Sequence, residues 1–230
     1  MESVLWTTDC YEKDSFVQEE KHLVPEIEYS LYVNGKFYSR LSCSPWHLED
    51  LVYGVLHGKG QIISCSIKEE VREIYVTLEE AFIRRKKEDK MQYLTLAPRE
   101  IRKLSTLLDG ASERFRLTGG VHSAAIADKE QILLMREDVG RHNAMDKLLG
   151  ACIREHVDTS DKIILFSGRV AAEIIEKAAR IGCSAIIAVS APTSRACELA
   201  VEKGILLVGF ARGERFNVYT FLERICENTK

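Results

Sequence analysis

The chain has 230 residues, 46% hydrophobic and 29% charged, a composition that builds a sizeable core and excludes a disordered or fibrous protein. A formal net charge of −3 and a pI near 6.1 exclude a general affinity for nucleic-acid backbones, so any anion site must be a local grouping of a few cations. No segment has the apolar length to span a bilayer and the first residues lack the regions of a signal peptide, so neither nucleic acid nor membrane is expected as a partner.

In chain order, Ile27, Tyr29, Leu31 and Val33 alternate with Glu26, Glu28, Ser30 and Tyr32, which predicts a strand with one buried face. Asn34-Gly35 supplies the positive-φ pair of a tight hairpin, and Phe37 to Leu41 returns as its partner. Ser44-Pro45 reads as N-cap and first-turn proline of a helix that buries Leu48, Leu51, Val52 and Val55 and stops at Gly58 or Gly60. Short strands follow near Gln61 to Ile67 and Glu73 to Leu78. The charge run at 84–90 reads as a solvated segment.

A boundary near Ala97 divides a β-rich N-terminal part (1–97) from an α/β part (98–230). Pro98 opens an amphipathic helix with Ile101, Leu104, Leu107 and Leu108 on one face and Gly110 as its stop. Val121 to Ala127 and Gln131 to Met135 read as paired strands around Asp128-Lys129, followed by a helix from about His142 to His156. Strands at Lys162 to Phe166, Ala185 to Val189 and Ile205 to Phe210 then alternate with helices at Ala171 to Ile181 and Ser194 to Lys203. This alternation implies a parallel sheet covered on both faces, with the strand carboxyl ends on one edge. The fold class is α/β.

That edge carries the residues with chemistry. The strands end in Ser167-Gly168-Arg169, in Ser190 to Arg195 with Thr193, and in Phe210-Ala211-Arg212-Gly213-Glu214-Arg215. Helix N-termini favour an anion, and guanidinium groups such as Arg169, Arg195 and Arg212 form bidentate phosphate contacts, so three such ends in series suit a nucleotide or pyrophosphate. Ser167 and Thr193 also read as helix N-caps. Glu137 to Asn143 gathers carboxylates, Gly140, Arg141 and His142 at a strand-to-helix junction, and His122 lies beside the Gly119-Gly120 pair. No structural metal is expected. The seven cysteines (Cys10, Cys43, Cys65, Cys152, Cys183, Cys197, Cys226) contain no C-x-x-C pair, which argues against a disulfide framework or Cys-paired zinc and for a reducing cytoplasm.

Gly119-Gly120-Val121-His122, Glu137 to Asn143 with Asp146-Lys147, Ser167-Gly168-Arg169, Ser190 to Thr193 and Gly209 to Arg212 resemble, in order, the signature blocks of the formate dehydrogenase accessory protein (FdhD) family. Val33-Asn34-Gly35, Cys43-Ser44-Pro45 and Gly58-Lys59-Gly60-Gln61-Ile62 agree in the first half. The resemblance implies a cytidine-deaminase-like three-layer α/β/α domain beside a smaller β-rich one, and a homodimer. It implies transfer of sulfur from a cysteine desulfurase to the bis(molybdopterin guanine dinucleotide) molybdenum cofactor of formate dehydrogenase. The guanine nucleotide end of that cofactor, for which GDP is a probe, would bind at Phe210, Ala211, Arg212, Gly213, Glu214 and Arg215, with Arg169, Ser167, Thr193, Arg141, His142 and His122 around it.

The chain departs from the family at one place. The family's sulfur carrier is a cysteine of a C-x-x-C loop upstream of the Gly-Gly-Val-His block, and the interval Leu78 to Thr118 contains no cysteine here. Two roles stay open: a sulfurtransferase using another thiol, with Cys65 the internal candidate, or a cofactor-binding chaperone without persulfide chemistry. A zinc nucleobase deaminase fails, because Ser123-Ala124 follows His122 without a glutamate and Thr193 follows Pro192 where a cysteine is needed. A dinucleotide-binding dehydrogenase fails because no strand is followed by G-x-G-x-x-G.

Overall fold

A computed structural model describes residues 3–79 and 93–226; the charge run at 84–90 lies outside them. Among the described residues are three sheets, of two, four and six strands. The two-stranded sheet, β1 (Val4–Glu12) with β2 (Ser15–Leu23), was not foreseen. It turns on Lys13 and Asp14, at φ 50° and 61°, and it has no buried residue, so its sequence carries no core-facing alternation.

β3 (Ile27–Val33) and β4 (Lys36–Cys43) form the expected hairpin, with Asn34 and Gly35 at φ 50° and 75°. The next helix starts later than the sequence suggested. α1 spans Leu48–Val55 with His47, not Ser44, at its N-cap. Ser44 is instead fully buried and spends its polar groups on distant segments: its N–H donates to Asp138 Oδ2 (3.0 Å), its hydroxyl accepts from the Val139 N–H (3.0 Å), and its carbonyl accepts from Lys147 Nζ (2.9 Å). β5 (Gln61–Lys68) and β6 (Glu73–Glu79) complete a sheet of order β4-β3-β6-β5, whose apolar face packs on α1 through Tyr29, Leu31, Leu51, Val52, Ile74 and Val76.

α2 (Pro98–Ala111) runs past Gly110, and Glu100 accepts the Ala97 N–H at its start (2.8 Å). Ile101, Leu104 and Leu108 are buried, but Leu107 is 37% exposed and falls off the core face. A short α3 (Glu113–Thr118), capped by Ser112, ends on Gly119 at φ 67°. The six-stranded sheet then forms from β7 (His122–Ala127), β8 (Ile132–Asp138), β9 (Ile163–Phe166), β10 (Ala185–Ala188), β11 (Leu206–Arg212) and β12 (Arg215–Val218) in the order β12-β11-β10-β9-β7-β8. β9, β10 and β11 are parallel, and β7, β8 and β12 pair antiparallel to their neighbours.

Alternation inside the strands sorts side chains between two helical layers. Ile164, Phe166, Ile186 and Ala188 face α4 (Arg141–Arg154), α5 (Ala172–Ile181) and α6 (Ser194–Lys203). Ile163, Leu165, Ala185 and Ile187 face α2. Both faces are therefore covered, giving the three-layer α/β/α arrangement.

α1 joins the small sheet to this domain by packing on α4 at backbone distance. A Cβ on Gly54 would overlap the Asp146 carbonyl, and one on Gly150 would overlap the Asp50 carbonyl. Gly150→Ala should therefore destabilise the protein by about 3 kcal/mol or more in urea denaturation, because the neighbour that must move is backbone. Gly110→Ala, with nothing within 4 Å of its Cβ, should be neutral or stabilising by up to ~1 kcal/mol.

Candidate functional site at the carboxyl edge of the sheet

Since β7 runs antiparallel to β9 and β8 antiparallel to β7, the start of β7 and the end of β8 share one edge with the ends of β9, β10 and β11. From β7 to β11 this edge spans three strand spacings, about 14 Å, the length scale of a nucleoside diphosphate. His122, the Gly140 to His142 turn, Ser167 to Arg169, Ser190 to Thr193 and Gly209 to Arg212 all lie along it.

Each of these residues has a local reason for its place. Ser167 is not a helix cap, as α5 begins at Ala172 with Ala171 at its N-cap. Its hydroxyl accepts the Ser123 N–H (2.8 Å) and its own N–H donates to the Ser123 carbonyl (3.0 Å), which extends the β7–β9 pairing to the rim. Gly168 has no room for a side chain, because a Cβ would lie 2.9 Å from the Phe166 ring and 3.0 Å from Arg141 Cβ. The first turn of α4 thus rests on the Ser167 to Arg169 loop. Arg169 is exposed and makes no ion pair among the described residues. Thr193 is a true N-cap whose hydroxyl accepts from the Ala196 N–H (3.2 Å). Arg195 is drawn away along α6 by Glu198 (3.0 Å) and Glu202 (3.3 Å), so it does not join the other guanidiniums.

β11 breaks its regular pairing with β12 between Gly209 and Arg212, and Phe210 takes φ 51° while remaining 44% exposed. A bulky residue in the left-handed region is strained, and it is held by its N–H bond to the Ser190 carbonyl (3.3 Å). Arg212 Nε donates to the Val189 carbonyl (3.1 Å), and Arg215 pairs with Arg212 across the Gly213 turn. Ala211 is buried and fixed from below by the Ser105 hydroxyl (2.5 Å), and Glu214 is held by Arg102 of α2. Ala211 is thus closed off from solvent, while the Glu214 side chain stays exposed beside Arg102. The sequence reading missed Ser105 and Arg102, whose helical spacing on α2 gives no hint of the turn they support.

At the other end of the edge, Arg141 Nε is buried without a hydrogen-bond partner among the described residues. His142 Nδ1 lies 3.1 Å from Glu173 Oε2, while Lys177 Nζ joins the His142 carbonyl (3.1 Å) to Asp146 Oδ2 (2.8 Å). Burial, then Lys177 and Arg141, push the His142 imidazole below its usual range. Burial and Arg141 do the same to His122, with Asp138 opposing. The edge thus presents guanidinium groups beside two imidazoles held neutral, a set that gains charge-assisted bonds when an anion arrives. Among the described residues no group of three or more His, Cys, Asp or Glu side chains is placed to hold a metal ion.

A folded histidine whose pKa lies below the unfolded value of 6.5 refuses protons that the unfolded chain accepts, so stability is present above about pH 6.5 and declines as pH falls. Urea midpoints should therefore drop from about pH 7.5 to about pH 5, and His122→Asn should flatten the slope. An unchanged slope in the variant would contradict the assignment.

Comparisons with known proteins bear on the family and the fold. Residues 76–226 match the model of the FdhD/NarQ family. The protein named sulfur carrier protein FdhD of Geobacillus kaustophilus is 36% identical over 247 residues, covering 94% of each chain. Its namesake of Bacillus licheniformis is 36% identical over 251 residues with the same coverage. Among solved structures, a protein of Desulfotalea psychrophila assigned as a formate dehydrogenase accessory protein superposes with a TM-score of 0.82 at 25% identity, over 97% of this chain and 99% of that one. On the match over residues 76–226 and these likenesses along almost the whole chain, the protein belongs to the FdhD/NarQ family.

Proposed function

We propose that the carboxyl edge binds the guanine nucleotide end of the bis(molybdopterin guanine dinucleotide) cofactor, and that the protein serves formate dehydrogenase by holding that cofactor for sulfuration or delivery. The observation that carries this reading is the convergence of Arg141, Arg169 and Arg212 on one rim with the strained, exposed ring of Phe210. Arg169 and Arg212 reach phosphate oxygens, the partly exposed Arg141 adds a further guanidinium, and Phe210 offers a face on which a base stacks. The cofactor itself would supply the metal and the thiolate ligands. A second copy of the chain and a cysteine desulfurase are the partners that the family resemblance suggests.

Calorimetry should detect GDP binding to the wild type, and Arg212→Ala should lose about 1.5–3 kcal/mol of it, the worth of a charged hydrogen bond. No binding at millimolar GDP would overturn the nucleotide reading.

Within this role, the cysteines favour binding without a persulfide relay. A carrier thiol must be exposed and ionise readily. Burial pushes the Cys43 and Cys152 thiols up to about 12 and that of Cys65 up to about 11, and it also raises Cys183 and Cys197. Cys65 is additionally misplaced: it sits within the field of Glu49 and Arg154, at the far end of α4 from the candidate site. Cys226 is the exposed one; its N–H bonds the Leu96 carbonyl (2.9 Å), close to the interval where the family has its C-x-x-C.

Incubation with a cysteine desulfurase and labelled cysteine should leave the wild type without stoichiometric, reductant-labile sulfur. Stoichiometric label would refute the chaperone reading, and parallel Cys65→Ala and Cys226→Ala proteins would show which thiol carries it.

A further inference from the structure

The ribbon of β1 and β2 belongs to none of the hydrophobic cores. A two-stranded hairpin by itself is marginally stable in water and gains stability from further strands or an apolar support. This one has no buried residue, and among the described residues β1 has no neighbour in its sheet but β2. Yet the ribbon carries large apolar groups. Trp6, Tyr11 and Phe16 are 62%, 61% and 74% exposed, and the rings of Tyr11 and Phe16 pair beside the turn with centroids 5.1 Å apart. At about 200 Å² per aromatic side chain, these three leave on the order of 400 Å² open, about half of the ~800 Å² per partner that a stable interface buries.

The two edges of the ribbon differ in what they accept. Glu19 and Glu20 stand at the middle of β2, so pairing β2 along its full length with a second copy would set Glu19 against Glu19. β1 from Val4 to Cys10 carries a single charge, Asp9, and neither of the residues, Lys and Pro, that commonly blunt an edge. The two-residue turn makes Glu12 and Ser15 a hydrogen-bonded pair, so alternation sends the N–H and C=O groups of Leu5, Thr7, Asp9 and Tyr11 away from β2. A two-fold axis through Thr8 then sets Leu5 opposite Tyr11, Trp6 opposite Cys10 and Thr7 opposite Asp9 of the other copy, and no like charges face each other. With five carboxylates against two lysines between Val4 and Leu23, the ribbon repels an anionic partner such as nucleic acid.

We propose that the β1 edge pairs antiparallel with β1 of a second copy of this chain, making a four-stranded sheet β2-β1-β1-β2 across a two-fold axis at Thr8. Residues directly opposite share a face, so the Tyr11–Phe16 tip of each copy comes over Leu5 of the other, and Trp6 comes beside Cys10 and Val17. The added strands supply the support that the ribbon lacks alone. This surface seats the second copy suggested above for the cofactor-binding role, but it involves no residue of the carboxyl edge.

The test is sedimentation of the full-length protein in the tens of micromolar, wild type beside Thr7→Pro. The Thr7 N–H points outward, so proline there leaves the β1–β2 bonds in place and removes a donor to the second copy. The wild type should sediment as a dimer, and Thr7→Pro should raise its dissociation constant at least ~tenfold, since a bond is lost on each side of the axis. Should Thr7→Pro unfold the ribbon, cross-linking decides instead. Thr8→Cys, on the axis, should form a disulfide-linked dimer under mild oxidant beyond that of the wild type, and Glu19→Cys, on β2, should not. A monomeric wild type would overturn the proposal, and one that still binds GDP would leave the nucleotide reading standing. A dimer indifferent to Thr7→Pro would also overturn it, as would Thr8→Cys cross-linking no more than the wild type or Glu19→Cys cross-linking in its place.

Discussion

The buried ion pair between Asp138 and Lys147 is the constraint on which the rest of the architecture depends. The two charged groups are 2.6 Å apart and fully removed from solvent. Such a pair adds little net stability, because desolvation offsets the Coulomb gain, but breaking it leaves an uncompensated charge that costs about 3–5 kcal/mol. Its value here is geometric. Asp138 also accepts from the Gly140 N–H (2.8 Å), Asn143 Nδ2 (3.0 Å) and the Ser44 N–H (3.0 Å), and Lys147 donates to the Ser44 carbonyl (2.9 Å). One point therefore ties the end of β8, the first turns of α4 and the chain leaving β4.

From that knot the layout of the carboxyl edge follows. Fixing the entry to α4 places Arg141 over Gly168 and sets His142 beside Glu173 and Lys177. The glycines at the α1–α4 crossing then lock the small sheet, through α1, to the same helix. At the opposite end of the edge, α2 plays the supporting part through Ser105 and Arg102, which hold the turn around Ala211 and Glu214 while Phe210 is kept in its strained conformation. The residues along the rim and the residues that support them come from different elements.

This division explains what could be read from the sequence. The strand–helix alternation from Lys162 onward reports burial on both faces of a parallel sheet, and the observed elements lie within a few residues of that reading. The Asn34-Gly35 hairpin was legible because its turn requires positive φ at both positions. Ser44-Pro45 misled, since a serine before a proline fits a helix start equally well whether its hydroxyl caps that helix or, as here, a strand end almost a hundred residues away. The β1–β2 ribbon has no core face and so no periodic signal. Arg195 shows the limit at the site: spacing placed it at a strand end, but only the structure reveals Glu198 and Glu202 drawing it along its own helix.

Taken together, the chain presents an arginine-bearing sheet edge and no C-x-x-C pair, and its thiols are mostly buried and hard to ionise. The measurement that bears most directly on this account is a crystal structure of the protein soaked with GDP. The account predicts the diphosphate at the carboxyl edge, within hydrogen-bond distance of Arg212 and of at least one of Arg141 and Arg169, with the guanine ring against Phe210. A nucleotide bound elsewhere, with those arginines untouched, would contradict it.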